Sequence, residues 1–290
     1  MKTYTIFQIA LALFFAIVIF GRVNAQNEKT LLWEITGPGL SKPSYLFGTI
    51  HLMCPDQLKV TEQIKSTLQK TDQLYLELDM DDPQVIPQMQ ASLSLPEGKT
   101  LKDYCSASEY QKIDSFFRQQ LGTPLDPLIG FKPLLALQMM YIPMVGCQPD
   151  SWENRLMAVA AAQKKEVLGL ETVKMQMGIF DSIPYTEQMD WLSLYTGDMA
   201  KAKAEFQSLV SAYLDQDIEK LASLIRDTPE FKAYSAMMLD NRNQNWSVQI
   251  PEIARQKSTF FAVGSGHLGG KKGVISMLRA KGYTVKGMSI

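Results

Sequence analysis

Apolar residues follow two rhythms along this chain. Short, nearly unbroken apolar runs stand at residues 31–35, 45–47, 74–78, 166–170, 259–263 and 283–288, several of them bounded by turn formers such as Gly37-Pro38-Gly39 and Lys42-Pro43. Runs of this length predict strands, and the continuous Leu74-Tyr75-Leu76-Glu77-Leu78 stretch suits the middle of a sheet. Elsewhere the apolar positions recur at helical spacing. Leu58, Ile64 and Leu68 share one face of residues 57–69, and residues 83–165 and 173–250 are mostly helical. Pro96-Glu97-Gly98 and Gly122-Thr123-Pro124 interrupt the first of these stretches, and Ser151 is a good N-cap for a helix through Trp152, Leu156 and Val159.

The last thirty residues or so read as strand 259–263, helix 270–281 and strand 283–288, a βαβ unit whose two strands are expected to be parallel neighbours. Strands stand at both chain ends and helices between. The expected class is therefore α/β of a mixed, α+β kind: one mixed central sheet built from both ends, with a largely helical middle packed over it. No linker-like stretch divides residues 26–290, which read as one domain with helical insertions at 83–165 and 173–250.

The first 25 residues have a different character. Lys2 precedes an apolar stretch from Ile6 to Phe20 broken only by Gln8, and Val23-Asn24-Ala25 supplies small residues for a signal-peptidase cut before Gln26. The stretch is about fifteen residues, short of the roughly twenty that span a bilayer. Residues 1–25 are thus expected to be a signal peptide, and the protein periplasmic or secreted, with no transmembrane anchor after its removal. An uncleaved leader that stays as an anchor is the other reading of the same residues.

Charge then narrows the partners. The 29 Lys+Arg nearly balance 30 Asp+Glu, so no basic field is present to hold a polyphosphate, and nucleic acid is not an expected partner. Cys54, Cys105 and Cys147 are too few for a disulfide-built scaffold. In an oxidising compartment they would give one disulfide and one leftover thiol, and spacing alone does not choose the pair. Nothing in the composition sets an oligomeric state.

The chain holds two histidines, and both close a Gly-x-x-His-Leu string: Gly48-Thr49-Ile50-His51-Leu52 and Gly264-Ser265-Gly266-His267-Leu268. Glycine occupies only 18 of 290 positions, so its recurrence three places before each histidine points to a shared backbone requirement. Each string follows an apolar run, which places both at strand ends, where open α/β sheets bind ligands. A histidine there serves as a general base or a neutral metal ligand. Glu77 interrupts a buried run, where an ionised group needs a partner. Glu171 ends the fourth strand and opens a helix at Thr172. Arg242 lies on a helical stripe with Met238 and Trp246, which turns its guanidinium to the buried side, to meet a substrate carboxylate, an oxyanion or one of the glutamates. HExxH, Walker and GxSxG patterns are absent.

These strings resemble the TraB/GumN family, which includes the animal Tiki proteases and is distantly similar to erythromycin esterases. Tyr45-Leu46-Phe47-Gly48-Thr49-Ile50-His51, Glu77 within Leu76-Glu77-Leu78-Asp79, Gly169-Leu170-Glu171-Thr172 with Gln176, Arg242-Asn243 with Trp246, and Gly264-Ser265-Gly266-His267-Leu268 with Gly273 carry the resemblance, which runs from about Leu31 to the end. It implies a mixed α/β core and a catalytic site of His51, Glu77, Glu171, Arg242 and His267. It also implies a divalent metal, Mn, Co or Zn, held by His51, His267, Glu77 and Glu171, and a disulfide between Cys54 and Cys147.

The expected function is an exported metal-dependent, peptidase-like hydrolase acting on a peptide or small-molecule substrate. A metal-free alternative makes His51 a general base oriented by Glu77, as in an esterase. A third reading, from a different class, is a protein that binds and sequesters a peptide in the same cleft without turning it over.

Overall fold

The computed structural model describes residues 29–290. The expected signal peptide lies outside the described residues. In chain order the elements are β1 (Leu32–Thr36), β2 (Ser44–Thr49), α1 (Glu62–Gln69), β3 (Gln73–Leu78), α2 (Val85–Ala91), α3 (Ala107–Phe116), α4 (Pro133–Val145), α5 (Trp152–Ala162), β4 (Glu166–Glu171), α6 (Val173–Asp181), α7 (Tyr185–Gly197), α8 (Met199–Leu214), α9 (Ile218–Asp227), α10 (Pro229–Ser235), α11 (Asn241–Gln256), β5 (Thr259–Gly264), α12 (Val274–Ala280) and β6 (Thr284–Met288). A π-helical stretch, Ala236–Asp240, joins α10 to α11.

The strands form one mixed six-stranded sheet in the order β4-β3-β5-β2-β1-β6. Strands β4, β3, β5 and β2 are mutually parallel, and β1 is antiparallel to both of its neighbours. The mixed α/β class, with strands drawn from both chain ends, is as the apolar pattern predicts. The two central strands are apolar throughout because helices cover both faces: every residue of β2 is buried, and all of β5 but Gly264. The core around the sheet takes Phe47, Phe260 and Phe261 from the strands, Ile64 and Leu68 from α1, Trp152 and Leu156 from α5, and Trp246 and Ile250 from α11. A second cluster, including Ile113, Phe117, Met140 and Leu192, binds the helices of the middle region to one another.

Three expectations need correction. Strands β5 and β6 are parallel but not neighbours, because β2 and β1 lie between them. Both edges of β5 are filled, by β2 on one side (Tyr45↔Phe260 to Thr49↔Gly264) and β3 on the other. Strand β6, with only one fully buried residue, pairs with β1 at the sheet margin. Helix α1 begins at Glu62 rather than near residue 57, because the Thr61 hydroxyl caps it by accepting from Ile64 N. Helix α12 begins at Val274 rather than near residue 270. Gly270 is left-handed (φ 81°), and a Cβ on Gly273 would stand 2.2 Å from the Leu268 carbonyl, so these residues form a tight glycine-dependent turn instead. Ser151 does cap α5, accepting from Asn154 N.

Candidate functional site

The parallel set ends along one edge of the sheet, and the register decides what meets there. Thr49 at the end of β2 lies opposite Gly264 at the end of β5, and Leu78 of β3 lies opposite Glu171 of β4. The two Gly-x-x-His strings therefore leave adjacent strand ends, with the two glutamates on the next strands along. A Cβ on Gly264 would stand 3.3 Å from Glu77 Oε1, 3.6 Å from His267 Cδ2 and 3.7 Å from His51 Nε2. Both imidazoles thus converge beside one glycine. The other motif glycine is needed for a close approach too: a Cβ on Gly48 would stand 3.0 Å from Leu268 Cδ2 and 3.1 Å from Ser265 Cβ. The shared glycines let two loops pack against one another at the sheet edge.

Arg242, near the start of α11, reaches into this edge and organises it. Its Nη2 donates to Glu77 Oε2 at 2.6 Å and to Glu171 Oε2 at 2.8 Å, while Nε donates to Glu171 Oε1 at 2.9 Å. The guanidinium lies over Trp246, 4.7 Å from the ring centre, as the Met238-Arg242-Trp246 stripe predicts. Gln176 of α6 donates to Glu77 Oε2 at 3.1 Å and Glu171 Oε2 at 3.0 Å, and Gly264 N–H donates to Glu77 Oε1 at 2.8 Å. Burial alone would raise the Glu77 pKa. The Arg242 charge, followed by the two histidines and the Gly264 N–H, outweighs it and holds the carboxyl well below the usual range. The same two carboxylates hold Arg242 firmly in its charged form against the cost of its own burial.

His267 is buried and fixed at both nitrogens. Nε2 faces Arg242 Nη1 at 3.1 Å, and an arginine only donates, so Nε2 is the acceptor. Nδ1 therefore carries the proton and donates to Asn243 Oδ1 at 2.6 Å. The amide of Asn243 is oriented by its own donation to the Lys272 carbonyl at 2.8 Å. Burial, reinforced by the Arg242 charge, pushes the His267 pKa down to about 3, so the ring is neutral at ordinary pH.

His51 differs in every respect. Its side chain is 62% exposed, and Nδ1 lies 3.0 Å from Glu153 Oε1. The same oxygen accepts from Thr49 Oγ1 at 2.8 Å. Burial raises the Glu153 carboxyl, but His51 and Thr49 together bring it below its ordinary value. An ionised carboxylate only accepts, so Nδ1 of His51 carries a proton and Nε2 faces Gly264 and Glu77. Desolvation by its surroundings lowers the His51 pKa. Glu153 and, more weakly, Glu77 outweigh that and raise it to about 9, although solvent reaching the ring screens part of the attraction.

The edge opens on a cavity of about 430 Å³. His51, Glu77, Gln176, Arg242 and His267 line its polar end, and the rest is mostly apolar, with Ile179, Phe180, Phe206, Ile225, Phe231 and Met238 among its walls. Apolar walls with a few convergent polar groups are the usual form of a small-molecule or side-chain pocket.

All five candidate residues named from the sequence meet at this edge, but the expected metal-ligand set does not form. Both Glu171 oxygens, Glu77 Oε2 and His267 Nε2 point at the Arg242 guanidinium, a cation already seated among the donors. Among the described residues no group of three or more His, Cys, Asp or Glu side chains is arranged to hold a metal ion. The donors are of the right kind for a divalent ion, but as arranged they do not fit one. Glu77 is also not the group that orients His51; that group is Glu153. Sequence reading missed Glu153, and gave Asn243 and Gln176 no role. Glu153 reads as an ordinary acidic residue in the first turn of a helix. Cys54 and Cys147 do form a disulfide and Cys105 is free, so the implied pairing places residues 147–153 beside His51.

The chain is 21% identical to the metalloprotease TIKI2 of Danio rerio over 320 residues, covering 91% of this chain and 62% of that protein. It is 23% identical to a metalloprotease TIKI homolog of Amphimedon queenslandica over 329 residues, with 92% and 63% covered, and 23% identical to the human metalloprotease TIKI1 over 318 residues, with 90% and 62% covered. The chain thus spans about three fifths of the length of these relatives. No solved structure matches it significantly. The model of the TraB/PrgY/gumN family matches residues 31–287, and the chain belongs to that family.

Proposed function

We propose that this protein is an exported, peptidase-like hydrolase whose site is the strand edge where His51, Glu77, Glu171, Arg242 and His267 meet, with residues 26–290 acting as one domain. The observation that carries the reading is the convergence of both imidazoles and Glu77 beside Gly264, at the polar end of an apolar cavity. The relatives are named metalloproteases, which supports hydrolysis of peptide bonds. Export is supported by the Cys54–Cys147 bond, which persists in oxidising compartments. Among the described residues no helix is long and apolar enough to cross a membrane.

In this reading each group has one task. In the neutral ring, the form that prevails above its pKa of about 9, His51 Nε2 takes a proton from the attacking water and returns it to the leaving group, since its other nitrogen is held by a carboxylate. His267, neutral and fixed at both nitrogens, forms the floor of the site. Arg242 keeps Glu77 ionised and holds Glu171 in place, and the apolar walls receive a side chain of the substrate and exclude water. The relatives' name also carries a metal. Because the donors here face Arg242, no step is routed through an ion, and metal dependence becomes an arm of the test.

The test incubates the protein, purified after expression of the full chain, with a library of internally quenched peptides, with and without EDTA. The expected result is cleavage of a subset of peptides, lost by a factor of about 100 or more in His51→Ala. Cleavage abolished by EDTA and restored by Mn, Co or Zn would assign a metal that displaces Arg242 from its present contacts. Peptides retained but never cleaved would favour the sequestering reading and contradict this one.

A further inference from the structure

The loop that carries His51 is stitched to the start of α5 at four points. Cys54 is bonded to Cys147. Met53 and Asp150 exchange both backbone hydrogen bonds, at 3.1 and 2.9 Å. Thr49 Oγ1 and His51 Nδ1 both reach the same oxygen of Glu153, at 2.8 and 3.0 Å. Beneath them Trp152, the first residue of α5, packs edge-on against Phe47 of β2, with ring centres 4.8 Å apart. Two segments about a hundred residues apart in sequence are thereby held as one rigid unit, and its working end is the contact between Glu153 and His51.

We propose that Glu153 is the positioning residue of the site: it holds His51 with the proton on Nδ1, so that Nε2 is presented to the cavity. The catalytic consequence rests on the hydrolase reading, whereas the tautomer and ring orientation do not.

Three observations carry the assignment. Glu153 is largely buried, with a side chain only 16% exposed, and its Oε2 is buried without taking a hydrogen bond from a neighbouring residue. A carboxylate placed so is costly, and for packing alone an apolar residue of similar size would serve better. Its one well-used oxygen is taken up by Thr49, the residue after the motif glycine, and by the histidine that ends the motif. The other histidine is held in the same way at the same nitrogen, Nδ1, by Asn243. The two rings thus have their Nδ1 fixed by a partner outside the motif. Only His51 then leaves Nε2 open, because Arg242 closes that of His267. A free imidazole does not choose between its nitrogens in this manner; the hydrogen bond to the other nitrogen sets which one works.

The chain's two histidines make the test direct. Ring nitrogens of the full chain, labelled with 15N-histidine, are recorded at pH 10 in the wild type and in Glu153→Leu. The expected spectrum shows His51 with Nδ1 protonated in the wild type and with Nε2 protonated in the variant. His267 keeps Nδ1–H in both and reports that the fold is intact. An Nε2–H ring at His51 in the wild type, or the same tautomer in both proteins, would overturn the proposal. Should Glu153→Leu fail to fold, as a changed His267 pattern would reveal, Glu153→Gln decides the matter on the quenched peptide that the wild type cleaves best. A kcat lower by about 10 to 100-fold with KM unchanged supports positioning, and an unchanged kcat overturns it. If the wild type cleaves no peptide while the tautomers behave as expected, the hydrolase reading fails and the positioning assignment stands.

Discussion

The two Gly-x-x-His loops share a sequence pattern, a strand-end position and a common cavity, yet their histidines have opposite surroundings. His267 is sealed among Arg242, Asn243 and Trp246, with the Trp246 ring 4.5 Å away centre to centre. His51 opens to solvent and touches a carboxylate. The motif therefore encodes a backbone path, namely a glycine that permits close approach of the two loops. The chemistry of each ring comes from residues outside the motif. One loop supplies a fixed neutral floor and the other an accessible, carboxylate-backed imidazole.

Substitutions break this contrast to different depths. Arg242→Ala is expected to have the largest effect, because it strands Glu77 and Glu171, whose side chains are 12% and 3% exposed, without their counter-charge. A loss of about 3 to 5 kcal/mol in urea unfolding is predicted. An unchanged midpoint would mean that the carboxylates are solvated and that the cluster is not the keystone described. His267→Ala comes next, at about 2 to 4 kcal/mol, since it removes two buried hydrogen bonds and leaves a void under Trp246. His51→Ala should cost less, about 1 kcal/mol, because its ring is mostly in solvent and the buried Glu153 keeps the Thr49 hydroxyl as a donor. Equal costs for the two histidines would erase the distinction between floor and working ring.

The glycines sharpen the comparison on a smaller scale. Gly48→Ala brings a methyl to 3.0 and 3.1 Å from Leu268 and Ser265, which must shift, and should cost about 1 to 3 kcal/mol. Gly264→Ala meets nothing closer than 3.3 Å, so its thermal midpoint should move less than that of Gly48→Ala. Its methyl, however, stands among Glu77 and both imidazoles, so peptide turnover should fall further than in any stability-matched control. If the two alanine variants rank the other way in stability, the assignment of Gly48 to loop packing and Gly264 to the site is wrong.

Much of this was legible in the chain because periodicity reports burial. The apolar runs marked the strands, the repeated Gly-x-x-His strings marked the paired loops, and Glu77 stood out as a carboxylate in an apolar run. The Met238-Arg242-Trp246 stripe turned the guanidinium inward as its spacing requires. What stayed hidden depends on contacts between segments far apart. Strand β6 sits at the margin because β2 fills the place beside β5, a competition that local pattern does not report. Glu153 resembles any acidic residue in a first helical turn, and only the tie between residues 53–54 and 147–150 brings it to His51. The anticipated ligand residues gather at one edge but are not arranged around an ion, since residue type does not reveal that an arginine already occupies the space between the donors.

The contrast between the two rings is tested most directly by following both histidines through a pH titration by NMR in the full chain. The account predicts displacements in opposite directions from the ordinary value of 6.5: His51 upward, to about 9, and His267 downward, to about 3. Two titrations near 6.5, or a His267 that takes up its proton before His51 as the pH falls, would contradict it.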